Sequence, residues 1–257
     1  MSPLKAIFLG LIQGVTEFFP VSSSGHLILF QKLLGFENLE KYVLFDLICH
    51  FGTLFAVLIV FFKEIRHTLF DKQSLLQIGC GTLPLFPIAF LLHPLKSLFN
   101  QVEFLGYFFF TTALILYLGE KVAKREHCPQ RSSLLDALKI GCFQAFAVLP
   151  GVSRSGSTIS GAKMLGWQPE KAVVFSFLLS IPAILGGIIL ESREVLAGNT
   201  LTINSLGFFT YVAGFLTAFV TGFFALKLLI RIAIKDKFRI FIWYCIAVGS
   251  LTLFLFH

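Results

Sequence analysis

Two kinds of apolar segment alternate along this chain, and they differ in whether polar residues break them. Six run long enough to cross a bilayer as helices, roughly over 42–62, 75–93, 103–119, 170–190, 205–230 and 238–256. Two others, 3–36 and 134–166, are interrupted near mid-length by Pro, Gly and Ser. Neither half of these is long enough to span. Each therefore predicts a re-entrant helix–break–helix hairpin, stable at membrane depth only when buried in protein or lining a wet cavity.

The two interrupted stretches are copies of one another. Laying residues 6–35 over 137–166, a shift of 131 without a gap, matches Ala6, Gly10, Gln13, Val21, Ser22, Ser24, Gly25, Ile28, Lys32, Leu34 and Gly35, which is 11 identities in 30 positions. The same shift carries the first three spans approximately onto the last three. The pattern predicts an all-α polytopic membrane protein, a single domain over 1–257 built of two pseudo-repeats, about 3–120 and 134–256. Each repeat is a hairpin followed by three helices.

Composition supports the membrane assignment, and charge orients it. The chain is 56% hydrophobic and only 14% charged, too little polar surface for a soluble domain of 257 residues. The net charge of +7 is not a nucleic-acid signal, because Lys and Arg gather in short connections. Three lie in 63–74 (Lys63, Arg66, Lys72), four in 120–133 (Lys121, Lys124, Arg125, Arg131) and four in 231–239 (Arg231, Lys235, Lys237, Arg239). Residues 94–102 and 191–204 hold one each, Lys96 and Arg193. Strict alternation puts the basic loops in the cytoplasm and both termini outside. Three spans per repeat then turn the second copy over, the inverted-repeat plan that places a site where broken helices meet. Lys5 and the apolar run after it resemble a signal peptide. Gln13 and Glu17 interrupt that run, and the pattern recurs at residue 137, so the segment is expected to be retained. The five scattered cysteines suggest neither a disulfide framework nor a zinc site.

The copies differ where chemistry would need them to. Glu17 faces Val148, Ser23 faces Arg154 and His26 faces Ser157. A carboxylate or guanidinium at membrane depth costs roughly 3 kcal/mol on insertion scales and marks function by default. An ion pair that merely pins the hairpins together is the structural alternative. Ser22, Ser23 and Ser24, like Ser153 and Ser155, precede a new helix, where free N–H groups and the helix dipole favour an anion. Gly25 and Gly156 admit close backbone approach, and Arg154 offers a planar fork suited to phosphate oxygens. Taken singly, either cluster could be capping and close packing; together they describe a receptor for a multiply charged phosphate. Gln13 and Glu17, at i and i+4, offer oxygen ligands for a hard cation such as Mg²⁺ or Ca²⁺ shared with substrate phosphates. His26 could shuttle a proton or attack phosphorus. Asp46 and His50, another i, i+4 pair inside the first span, read as supporting or packing groups.

The motifs resemble those of the undecaprenyl-pyrophosphate phosphatases of the bacitracin-resistance type. The resemblance runs from Gln13 through Glu17 and P-V-S-S-S-G-H to His26, from Pro150 to Thr158, and over H-F-G-T-L at His50 to Leu54. Many members have Glu where this chain has Gln13. The resemblance implies hydrolysis of undecaprenyl pyrophosphate to the monophosphate and phosphate, recycling the lipid carrier of cell-wall synthesis and giving bacitracin resistance. It also implies a divalent cation and a site facing the outside of the cytoplasmic membrane.

On this reading Glu17, helped by Gln13, positions the cation, while Arg154 and the hairpin N–H groups neutralise charge on the transferred phosphoryl. Thr158 and the serines and glycines of both motifs contact substrate. Ser23, His26 or an activated water could be the nucleophile; the assignment favoured is His26 as acid–base and Ser23 as nucleophile or ligand. Polyprenyl diphosphate and membrane lipids are the expected partners, nucleic acid is not, and a homodimer is compatible with the sequence. A transporter or flippase of a phosphorylated lipid is the rival class, since inverted repeats with broken helices usually mean alternating access. The acid occurs in one copy only, which favours a fixed catalytic site.

Overall fold

A computed structural model describes residues 1–92, 102–123, 133–196 and 206–256. Among these residues every regular element is helical. The expected loop residues Lys96, Lys124, Arg125 and Arg131 lie outside the described residues.

Each interrupted stretch forms two helices. The first gives α1 (Pro3–Phe18) and α2 (Ser23–Leu33). A 3₁₀ turn, Leu39–Tyr42, leads to α3 (Val43–Val60), followed by α4 (Phe62–Phe70), α5 (Lys72–Thr82), α6 (Leu85–Leu92) and α7 (Val102–Val122). The second stretch gives α8 (Leu134–Phe146) and α9 (Arg154–Met164); α10 (Pro169–Leu196), α11 (Phe208–Ile234) and α12 (Arg239–Phe256) complete the chain.

The helices α2 and α9 occupy positions related by the shift of 131 at both ends. Their caps correspond too: Ser22 Oγ accepts from Gly25 N–H at 3.4 Å, and Ser153 Oγ from Gly156 N–H at 3.0 Å. Both are followed by a glycine at positive φ, Gly35 (+80°) and Gly166 (+87°). Only a residue without Cβ enters that left-handed region freely, which is why the two helices stop where they do.

Among the described residues five helices are long and apolar enough to cross a membrane: Leu39–Val60, Val102–Val122, Pro169–Leu190, Phe208–Ile234 and Arg239–Phe256. This is a multi-pass membrane protein. Where the sequence predicts one span over 75–93, the structure has α5 and α6, interrupted at Leu83 and Pro84. Pro84 has no N–H to continue the ladder, and Asp71 Oδ2 starts α5 by accepting from Ser74 N–H (2.9 Å) and Oγ (2.5 Å). Those two bonds hold the Asp71 carboxyl below its usual range.

Packing exchanges partners between the two halves of the chain. The first helix of each hairpin lies on a helix of the other half, α1 on α11 and α8 on α5. Both contacts depend on glycine. A Cβ at Gly10 would sit 2.6 Å from the Gly214 carbonyl oxygen, and one at Gly141 would collide with the Gly81 carbonyl. Small residues let helix backbones approach this closely in a membrane, where apolar side chains alone give little preference for protein over lipid. The largest buried cluster runs from Phe18 and Val21 through Phe61 and Ile140 to Phe177, Leu226 and Phe241, filling the space between hairpins and spans.

Candidate active site

The tips of the two hairpins meet, and their contact builds the site. A Cβ on Gly25 would stand 2.9 Å from Gly151 Cα and 2.9 Å from Phe109 Cζ, so no side chain fits between the tips. Ser155 Oγ donates to the Phe19 carbonyl across them at 3.4 Å. Thr112 Oγ1, from α7, braces the second tip by donating to Gly151 O (2.8 Å) and accepting from Ser153 N–H (2.9 Å).

This juxtaposition places residues from both motifs around the Glu17 carboxylate. Arg154 Nη2 donates to Glu17 Oε1 at 2.5 Å, and Ser23 Oγ to Oε2 at 2.5 Å. Gln13 Nε2 donates to Oε2 at 3.1 Å and lies 2.8 Å from His50 Nδ1, which is itself 3.5 Å from Oε2. The carboxylate is buried, with 7% of Glu17 exposed. Two neutral donors, Ser23 and Gln13, and the Arg154 cation therefore replace its lost water, as a buried charge requires.

Two groups here are buried without partners among the described residues, Arg154 Nη1 and Gln13 Oε1. Arg154 spends one terminal nitrogen on Glu17 and keeps the other uncommitted. A buried unmade hydrogen bond is costly, and a phosphate oxygen would satisfy this donor. Gln13 Oε1 is an unused acceptor beside a carboxylate, a donor type suited to a hard cation. Among the described residues no three His, Cys, Asp or Glu side chains converge on a metal position. A cation held here would take its remaining ligands from water and substrate.

A cavity of about 370 Å³ opens on this cluster. Glu17, Ser22, Ser23, Ser24, Ser153, Arg154, Ser155, Asp46 and His50 supply its polar wall. Leu27, Ile28, Val43 and Leu47 supply apolar wall, together with Ala183, Ile184 and Ile188 just past Pro182 in α10. Such a wall suits a ligand with a charged head and a hydrocarbon body.

The remaining sequence-predicted residues are near the cavity but not on its wall. Gln13 is fully buried behind Glu17. Gly25 and Gly156 form the tip contact, and Thr158 Oγ1 turns back to Arg154 O (2.9 Å) and Ser176 Oγ (2.6 Å). His26 is 1% exposed, and both ring nitrogens are engaged: Nδ1 is 2.7 Å from Ser22 O and Nε2 is 2.8 Å from Tyr244 Oη.

The sequence reading gave Asp46 and His50 only a supporting or packing role, and it missed Tyr244. His50 and Asp46 line the cavity. Their i, i+4 spacing showed a shared face, but not that the face turns toward the hairpin tips. Gln31 Nε2 donates to both Asp46 oxygens, at 2.8 and 3.1 Å, fixing that carboxylate in the wall. Tyr244 is one aromatic in an apolar helix, and nothing in its spacing signals a polar partner 218 positions away.

Comparison with known proteins bears on what this cavity handles. A family model described as bacitracin resistance protein BacA matches residues 6–251. A protein of Protochlamydia amoebophila named undecaprenyl-diphosphatase is 47% identical over 258 aligned residues, covering 100% of each chain. Proteins of the same name from Halothermothrix orenii and Carboxydothermus hydrogenoformans are 37% and 38% identical, each covering 99% of this chain and 98% of their own.

Proposed function

The chain belongs to the bacitracin resistance protein family, and from that premise we propose that the hairpin-tip cavity hydrolyses undecaprenyl diphosphate to undecaprenyl phosphate and inorganic phosphate. The observation that carries this assignment to the cavity is the contact of Glu17 with both Ser23 Oγ and Arg154 Nη2, at 2.5 Å each, on a wall that continues into apolar side chains. A nucleophile touching its base, with a cation alongside, is the arrangement that group transfer requires.

Arg154 binds the terminal phosphate, its free Nη1 taking one oxygen while Nη2 passes from Glu17 to another. The first-turn N–H groups of α2 and α9, with Ser22, Ser24, Ser153 and Ser155, take further oxygens. Glu17, released from Arg154, accepts the Ser23 proton. Ser23 Oγ forms a bond to the terminal phosphorus as the bond from that phosphorus to the bridging oxygen breaks. The leaving lipid monophosphate carries away the bonding electron pair and takes up that proton from Glu17, which is again a base. Water, deprotonated by Glu17, then attacks the phosphorus as the phosphoseryl bond breaks, and Glu17 returns the proton to Ser23 Oγ as free phosphate leaves. A water attacking directly uses the same base and the same Arg154 contacts.

A divalent cation, Mg²⁺ or Ca²⁺, bound by Glu17 and Gln13 together with the diphosphate, would supply charge neutralisation on the phosphate oxygens. His50 supports that end of the site through Gln13. The apolar wall receives the first isoprene units, and the rest of the tail runs into the bilayer.

The paired caps, the partner exchange between halves and the basic loops support an inverted-topology repeat with two re-entrant hairpins. On that topology the protein lies in the bacterial cytoplasmic membrane with its cavity open to the outside. The decisive assay is phosphate release from a polyprenyl diphosphate by the purified protein, with and without chelator. Absence of release in any divalent cation would overturn the assignment.

A further inference from the structure

The bend between α1 and α2 passes through Ser22 at φ +72° and ψ 98°, a region that side-chain-bearing residues rarely enter. Backbone of this kind persists only where its surroundings hold it. The corresponding bend in the second hairpin needs no such hold: Ser153 has φ −74°, and the left-handed residue there is Gly151, at φ +91°. The first hairpin carries on a serine the strain that the second gives to a glycine.

What holds Ser22 is visible. Its carbonyl accepts from the His26 backbone N–H at 3.2 Å and lies 2.7 Å from the His26 ring Nδ1. A carbonyl can only accept, so Nδ1 carries the hydrogen, and in the neutral ring Nε2 is left as the acceptor. The group facing Nε2 is Tyr244 Oη at 2.8 Å. The Tyr244 ring stacks on the imidazole with centroids 5.6 Å apart and planes inclined by 11°, and Phe109 closes the other side edge-on at 5.1 Å. His26 is thereby fixed in tautomer and orientation, and does not line the cavity.

We infer that Tyr244 is a positioning residue for the reaction: through His26 it clamps the Ser22 bend, which sets the 2.5 Å contact of Ser23 Oγ with Glu17. His26 then transmits a position rather than a proton. The inference rests on the phosphatase reading of the site and adds a residue from the last helix of the chain to it.

Phosphate release by the parent protein is measured first, so failure of the phosphatase reading appears there and not in the variants. Tyr244→Phe keeps the stacked ring and removes only the hydroxyl. It should leave thermal stability and KM near the parent values and lower kcat about 10- to 100-fold, the scale of an ångström-sized misplacement. In a Ser22→Gly background the bend needs no clamp, so the same Tyr244→Phe change should cost much less, about 3-fold or under. Selective ¹⁵N labelling should show the His26 Nε2 resonance moving on Tyr244→Phe, a readout that survives if Ser22→Gly is itself slow. Unchanged kcat in Tyr244→Phe, an equal loss in both backgrounds, or an unmoved His26 resonance would each overturn the inference.

Discussion

Arg154 Nη2 and Glu17 Oε1 lie 2.5 Å apart although 137 positions separate the two residues in the chain. Each hairpin contributes one charge, and neither is stable at this depth alone. Without substrate the pair neutralises itself. On the proposed mechanism a diphosphate would offer Arg154 a stronger partner and release Glu17 as a base, so that binding and activation would be one exchange of hydrogen bonds.

Glu17→Gln keeps the side chain's shape and removes its basicity. Turnover should fall at least about 100-fold, the lower range for loss of a general base, while the protein remains folded and membrane-inserted. Phosphate release measured beside thermal unfolding checks both halves. Parent-like turnover would remove Glu17 from the chemistry.

Replacing Arg154 separates charge from geometry. Lys keeps a cation but cannot serve Glu17 and a phosphate oxygen with one planar fork. Arg154→Lys should bind diphosphate nearly normally yet turn over about 100- to 1,000-fold slower, the usual loss for one transition-state donor. Fast turnover in Lys together with instability in Ala would make the pair purely structural.

Gln13→Glu replaces an amide that donates to both Glu17 and His50 by a second carboxylate. Two adjacent carboxylates repel unless a cation lies between them. The variant should stay active and show a steeper dependence on Mg²⁺ or Ca²⁺, read from rate against free metal. Inactivity at all metal concentrations would exclude the position from cation binding.

Topology can be read from one pair of positions. Glu37 and Gln168 are related by the shift of 131, follow α2 and α9 respectively, and are both exposed. In a cysteine-depleted background, Glu37→Cys should react with an impermeant thiol reagent from outside and Gln168→Cys from inside. Labelling of both from one side would sink the inverted repeat.

Much of this architecture was legible because it is written as periodic apolar length and as a repeat. The matched ends of α2 and α9 follow from the eleven shared residues. The break at Leu83–Pro84 was missed because hydropathy measures apolarity, whereas Pro84 acts by withholding an N–H. Within the site, Gln13, Glu17, Ser23 and Arg154 stood out as polar residues in apolar runs, and the fold brings them into contact. His50 was visible but ambiguous, since a helix face does not say what it faces. Tyr244 was invisible: its role exists only because α12 passes beside His26.

The contact of α1 with α11 has a consequence for biosynthesis. Gly10 and Gly14 are shaped to fit a helix that begins at Phe208, so the partner of the first hairpin is made only after the second hairpin. Until then the Gly10 and Gly14 face of α1 lacks the helix it is shaped for. α11 covers the N-terminal hairpin and α12 brings Tyr244 to His26, so the first hairpin reaches its final packing only when both helices have been made.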